Sequence, residues 1–169
     1  MAPSLMVRFP ATVDRRSGVE ALTTVQVDGR ARLLAIAERG SAMDRSVAHA
    51  WLIDPATGAM GGRRVALSGG YAPTGAATLS GGDVVLLERR VDVQGAHMRL
   101  RRFPAGTITG NGVLDGPVLL EAGPGRMVDN MEGIAAFSGP GGGERLAIIS
   151  DDNRFPLQRT LYLEFALTP

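Results

Sequence analysis

NMEGIAAFSGPGGGERLAIISDDN, running from Asn130 to Asn153, sets the reading of the whole chain. It holds an apolar run opening on Glu132, a glycine-rich turn over 139–143, and a second apolar run that ends in acids. Runs of four to eight residues rich in Val, Leu and Ile, bounded by Gly, Pro, Asp or Asn, are strands rather than helices. Two earlier segments have the same build. They are GVEALTTVQVDGRARLLAIAERG, Gly18 to Gly40, and PTGAATLSGGDVVLLERR, Pro73 to Arg90. The units open at Glu20, near Gly75 and at Glu132, a repeat of roughly 55 residues.

Such a period holds four strands with their turns, the size of one propeller blade. Further strands are expected at 18–27, 32–38, 49–53, 84–91, 98–103, 131–137, 146–150 and 160–167. The links between them carry turn chemistry, as in Asp28-Gly29 and the DPATG run at 54–58. Segment 110–121 reads as loop with at most one short strand. The expected fold is therefore all-β, a β-propeller-like array of about three four-stranded blades in which the third lacks an evident outermost strand. Met1 to Pro10 reads as the last strand of a preceding blade. A closed propeller needs at least four blades. The single domain over residues 1–169 is thus expected to be the C-terminal half of a longer one, or to associate with another copy through an open sheet edge. A small sandwich of about ten strands is the alternative.

Composition removes several function classes. The net charge is +1, with 18 basic and 17 acidic side chains, so nothing favours a nucleic-acid partner. With no cysteine, thiol nucleophiles and zinc–thiolate sites are excluded. No apolar run has the length of a membrane span, and Met1 to Pro10 lacks the apolar core of a signal peptide. His49 and His97 have no acid–serine pattern beside them and read as strand residues. There is no Gly-x-Ser-x-Gly elbow. Trp51, Tyr71 and Phe103 read as packing residues.

Acids recur at matched places in the repeat. Glu20 and Glu132 open the first strands of their units, and Glu38, Glu88 and Asp151 close the second strands. If strand ends gather around a central channel, these carboxylates converge on one mouth and suit calcium, which takes six to eight oxygen ligands. The densest cluster joins Asp129, Asn130 and Glu132 to Asp151, Asp152 and Asn153. Each acid can equally be a solvated strand end or a turn residue. Arginines lie beside the acids at Arg39, Arg89, Arg90 and Arg159; they can grip a substrate anion or pair with neighbouring carboxylates.

The runs VDNMEGIA, LAIISDDN and PLQRTLYLEFAL, preceded by GVEAL, LLAIAERG and VVLLERR in the same order, resemble the phytase-like "esterase-like activity of phytase" family. The resemblance spans about residues 18–167. It implies a β-propeller and a bacterial, periplasmic or secreted protein. It also implies a calcium-associated hydrolase acting on a small anionic ester or phosphoester. Glu20, Glu38, Glu88, Arg89, Asp129, Asn130, Glu132, Asp151, Asp152 and Asn153 stand where the family's polar signature stands, and Gln158 and Arg159 match its closing motif. On this reading Glu132 and Asp151 act with calcium on the ester while Arg89 and Arg159 orient its anionic group. The second unit departs from the pattern, with Gly75 where the others have Glu20 and Glu132. A non-catalytic ligand- or protein-binding propeller and a truncated inactive fragment are the competing readings.

Overall fold

The structure is a computed structural model describing residues 6–10, 18–40 and 44–167. Those residues form three sheets. The first is a meander of β1 (Val19–Val27), β2 (Arg30–Ala37), β3 (Val47–Ile53) and β4 (Met60–Ala66). The second consists of β5 (Ala72–Thr78), β6 (Val84–Asp92), β7 (Gly95–Phe103) and β9 (Val118–Ala122). A short strand between them in sequence, β8 (Val113–Leu114), joins the first sheet by pairing parallel to β4. The third contains β10 (Met131–Ser138), β11 (Glu144–Ser150) and β12 (Tyr162–Ala166). This is the all-β, partial-propeller architecture expected from the repeat. We refer to the sheets as blades 1 to 3.

Local chemistry explains the turns. The β1–β2 hairpin closes on Asp28 and Gly29, with φ of 51° and 71°. Two left-handed residues give the turn whose twist matches that of its strands. Segment 110–121 departs from expectation by containing β8 and most of β9. The Asp115-Gly116-Pro117 step divides its apolar residues into runs too short to stand out in the sequence. Strand β4 is also additional, because its MGGRRVA sequence lacks an apolar pattern. The third blade has three strands, as its missing outer strand foretold. Residues 6–10 form no strand; Val7 and Phe9 instead lie against the apolar face of blade 1 around Trp51 and Ile53. Residues 1–5 lie outside the described set.

Blades stack face to face through two apolar cores. Leu34, Ile36 and Ala50 of blade 1 meet Ala76, Leu86 and Phe103 of blade 2. Val85, Leu87 and Leu100 of blade 2 meet Leu146 and Ile148 of blade 3. Burying such side chains away from water is the main force holding the sheets together. The first strands lie side by side. Thr23 and Thr78 share a 2.9 Å hydrogen bond from β1 to β5, and the Thr74 hydroxyl donates to the Met131 carbonyl at 2.9 Å from β5 to β10.

Gly75 follows from that close approach. A Cβ there would stand 3.0 Å from Ile134 Cγ2 and 3.1 Å from the Glu132 carbonyl oxygen. The glycine in the second unit is therefore a packing requirement between blades. Among the described residues no helix is long and apolar enough to cross a membrane.

Candidate functional site

Each blade carries an irregularity at the same place. Between the first two strands the pairing slips after Val19↔Ala37, after Pro73↔Glu88 and after Met131↔Ser150. The residues left unpaired are Glu20, Thr74 and Glu132. A bulge of this kind bends the strand and re-aims a side chain. Thr74, not Gly75, is therefore the counterpart of the two glutamates, a correction of one residue.

The same register moves the second set of acids. Ala37, Glu88 and Ser150 are equivalent, each opposite the residue before the bulge, and all three are buried. One step further, Glu38, Arg89 and Asp151 are equivalent: the Glu38 and Asp151 amides donate to Gly18 and Asn130, and Arg89 pairs with Ala72. The rim position thus holds two acids and one arginine.

Glu88, expected among the metal ligands, serves another purpose. Its side chain is fully buried and accepts four hydrogen bonds of 2.7–3.1 Å from the guanidinium groups of Arg99 and Arg101. Arg99 continues to the Ser68 hydroxyl, and Arg101 to the Ala66 carbonyl and Asp115. A carboxylate so saturated has no lone pair left for a cation. The cluster ties the face of blade 2 to the end of β4. Tyr71 covers it, with the Arg99 guanidinium 4.3 Å from its ring centre and its hydroxyl donating to Glu121 at 2.9 Å. Burial, reinforced by that bond, pushes the Tyr71 phenol up to about 12.

The remaining signature residues do come together. Arg89 Nη1, from β6, donates to Asn130 Oδ1 and lies 2.8 Å from Glu132 Oε1. Asn130 Nδ2 donates to the same Glu132 oxygen at 2.7 Å. Asp129, buried, accepts from the Asn130 amide at 2.9 Å and from the Arg159 amide at 3.0 Å. The Arg159 side chain is looser, 3.8 Å from Asp129 and mostly exposed. Ser150 completes the link, donating to the Arg159 carbonyl at 2.6 Å and accepting from the Leu161 amide at 2.7 Å. One polar network therefore joins the DN-x-EG and SDDN motifs to the closing QRT.

Asp151 and Asp152 shape the loop that follows. Asp151 accepts from the Asn153 amide, and Asp152 from the Arg154 amide and the Thr160 hydroxyl. Asn153 and Arg154 adopt φ of 49° and 55°, and Asn153 donates to Gln158 at 3.1 Å. Glu38 pairs with Arg39 at 3.5 Å, and Glu20 is exposed at the start of β1. Thr74 and the Arg99–Arg101 pair were not legible as parts of this arrangement. Only the strand register reveals them.

Further along β1, β5 and β10, the first strands line a groove of about 340 Å³ walled by small residues, among them Thr23, Ala77, Thr78 and Ala135. Its walls supply room and little chemistry. The rim supplies one guanidinium, one amide and one carboxylate in contact, a set able to bind an oxyanion and to accept a proton beside it. It does not form a calcium cage as arranged. Among the described residues no three His, Asp or Glu side chains gather into a metal-holding group, and Glu132, Asp129, Asp151 and Asp152 all accept from N–H or O–H donors.

Searches of curated proteins and of solved structures found no match. A family model did match, over residues 3–154. The match takes in most of the chain rather than a C-terminal portion of it, and it stops before the PLQRTLYLEFAL ending. With both signature motifs inside the matched region and joined in one network, the chain belongs to the phytase-like family described as "esterase-like activity of phytase".

Proposed function

We propose that this chain provides the substrate-binding rim of an ester or phosphoester hydrolase, with Arg89 holding the anionic group, the buried Asn130 amide positioning Arg89 and Glu132, and Glu132 accepting a proton from the attacking water. The observation that carries this reading is the contact of Arg89 with Glu132 across two blades, beside Asn130. The Arg89 guanidinium spends only Nη1 on these partners, so Nη2 and Nε can engage a phosphate or carboxylate. Glu132 Oε2 has no protein donor among the described residues and is free to meet water. Asp129 and Ser150 act through the backbone by fixing the loop that carries Asn130 and Arg159. Calcium, which the resemblance implies, contributes no step to this reading.

The test is hydrolysis of p-nitrophenyl phosphate and p-nitrophenyl acetate by the purified chain, its Glu132→Gln variant and its Arg89→Gln variant. Loss of turnover in Glu132→Gln, and a raised KM in Arg89→Gln, are expected from variants that melt cooperatively. Wild-type turnover that survives both substitutions would overturn the assignment. A second reading is favoured by the loop-shaping hydrogen bonds that Asp129, Asp151 and Asp152 accept from within the chain: the network would then be a structural latch in a non-catalytic binding propeller. No turnover of either substrate by well-folded wild-type chain favours that reading.

A further inference from the structure

We propose a second ligand site, on the face of blade 1 turned away from blade 2, that binds a small oxyanion, a phosphate or a carboxylate, through His49 and Arg64 beside Trp51. Strand alternation places these residues together. His49 and Trp51 are two apart on β3 and so share a face, and the register sets Arg64 opposite His49 and Gly62 opposite Trp51. Above Gly62 nothing lies within 4 Å of where a Cβ would stand. That open space continues into a cavity of about 290 Å³, closed on its far side by Asn111 and Gly112 from the segment before β8.

Three observations point to an anion. Among the described residues His49 Nε2 is shut off from solvent and has no hydrogen-bond partner, an arrangement that proteins rarely leave in place without a reason. The cavity wall carries His49, Arg63 and Arg64 with the Asn111 amide, and no carboxylate. Arg63 is held by main-chain carbonyls, those of Gly62 at 2.9 Å and Ile108 at 3.4 Å, so its charge is directed but not neutralised there. Asp44, which feels the Arg64 charge, is held by Ser46 and does not line the cavity. Trp51 forms a firm wall: the Phe9 ring stands edge-on to it at 5.2 Å, and the His49 ring lies 6.0 Å away. Arg64 supplies charge from the opposite strand, and a rotation of the half-buried His49 ring turns the occluded Nε2–H toward the anion. The site shares no residue with the rim.

Trp51 is the chain's one tryptophan, so its emission reports on this cavity alone. The full chain would be titrated with sodium phosphate and separately with sodium benzoate, against sodium chloride at matched ionic strength. A saturable change with phosphate, benzoate or both is expected, and which of them saturates names the class of anion. Arg64→Gln should weaken that binding tenfold or more, as removal of a charged donor does. His49→Phe should weaken it too, and Arg89→Gln should leave it unchanged. A response no different from that of chloride would overturn the proposal. So would a saturation that Arg64→Gln does not weaken; Arg64 is exposed, so that variant carries the test even if His49→Phe fails to fold.

Discussion

Arg89 of blade 2 and Glu132 of blade 3 meet at 2.8 Å across the boundary between two sheets, at places the repeat makes non-equivalent. Arg89 stands where blades 1 and 3 have Glu38 and Asp151, whereas Glu132 stands on the bulge, where blades 1 and 2 have Glu20 and Thr74. In blade 2, arginine in place of an acid at this position puts a cation next to Glu132.

The pair should contribute little to stability. Its side chains are 26% and 40% exposed, and ion pairs of this kind contribute about 0–1 kcal/mol. A double-mutant cycle with Arg89→Gln and Glu132→Gln, followed by urea unfolding, is expected to give a coupling energy below about 1 kcal/mol. Turnover lost in either variant then reflects chemistry rather than unfolding. A coupling well above 2 kcal/mol would make the contact a structural latch.

The periodicity of apolar runs disclosed the three blades, because turns rich in Gly, Asp and Pro bracket nearly every strand. It hid β4 and β8, whose sequences carry no apolar alternation and which pair only because a neighbouring edge is available. At the site, both signature motifs were visible as dense polar runs, and Asp129 and Ser150 join them through hydrogen bonds to the Arg159 backbone. The bulges were invisible. A slip of one residue in pairing leaves composition unchanged, yet it exchanges Gly75 for Thr74 and moves Glu88 from the rim into a buried cluster. Register is a property of two strands together, so neither strand's sequence displays it.

Glu88→Gln tests that relocation. The substitution keeps the shape of the side chain and removes the one counter-charge shared by Arg99 and Arg101, which are themselves buried. Leaving buried charges uncompensated costs about 3 kcal/mol or more. A loss of that size in the free energy of urea unfolding, with no effect on the KM of any ester that the wild-type chain hydrolyses, is expected. A stable variant with altered KM would return Glu88 to the rim.

Alkaline pH should weaken the fold through Tyr71. Burial, then the bond to Glu121, raises its phenol to about 12, while the unfolded chain titrates near 10. Stability from this group is fully present below pH 10 and is lost as pH rises through 12, because only the unfolded state releases the proton in that window. Melts at pH 9 and pH 11.5 should therefore show a larger drop for the wild-type chain than for Tyr71→Phe. Equal drops would mean that the Tyr71 hydroxyl is solvated in the folded protein.

Calcium is the sharpest discriminator between the resemblance and the geometry. Glu132 faces a guanidinium, Glu88 is saturated by two more, and Asp129, Asp151 and Asp152 each accept hydrogen bonds that shape loops. A cation that gathers several of these carboxylates must displace arginine and amide donors, at the cost of the bonds that hold the Asn130 and Arg159 loops. Melting temperatures in calcium and in chelator are therefore expected to agree within about 1 °C, since only binding to the native state raises the midpoint. A rise of several degrees in calcium would show that the carboxylates regroup around the ion, and would place the metal rather than Arg89 at the centre of substrate binding.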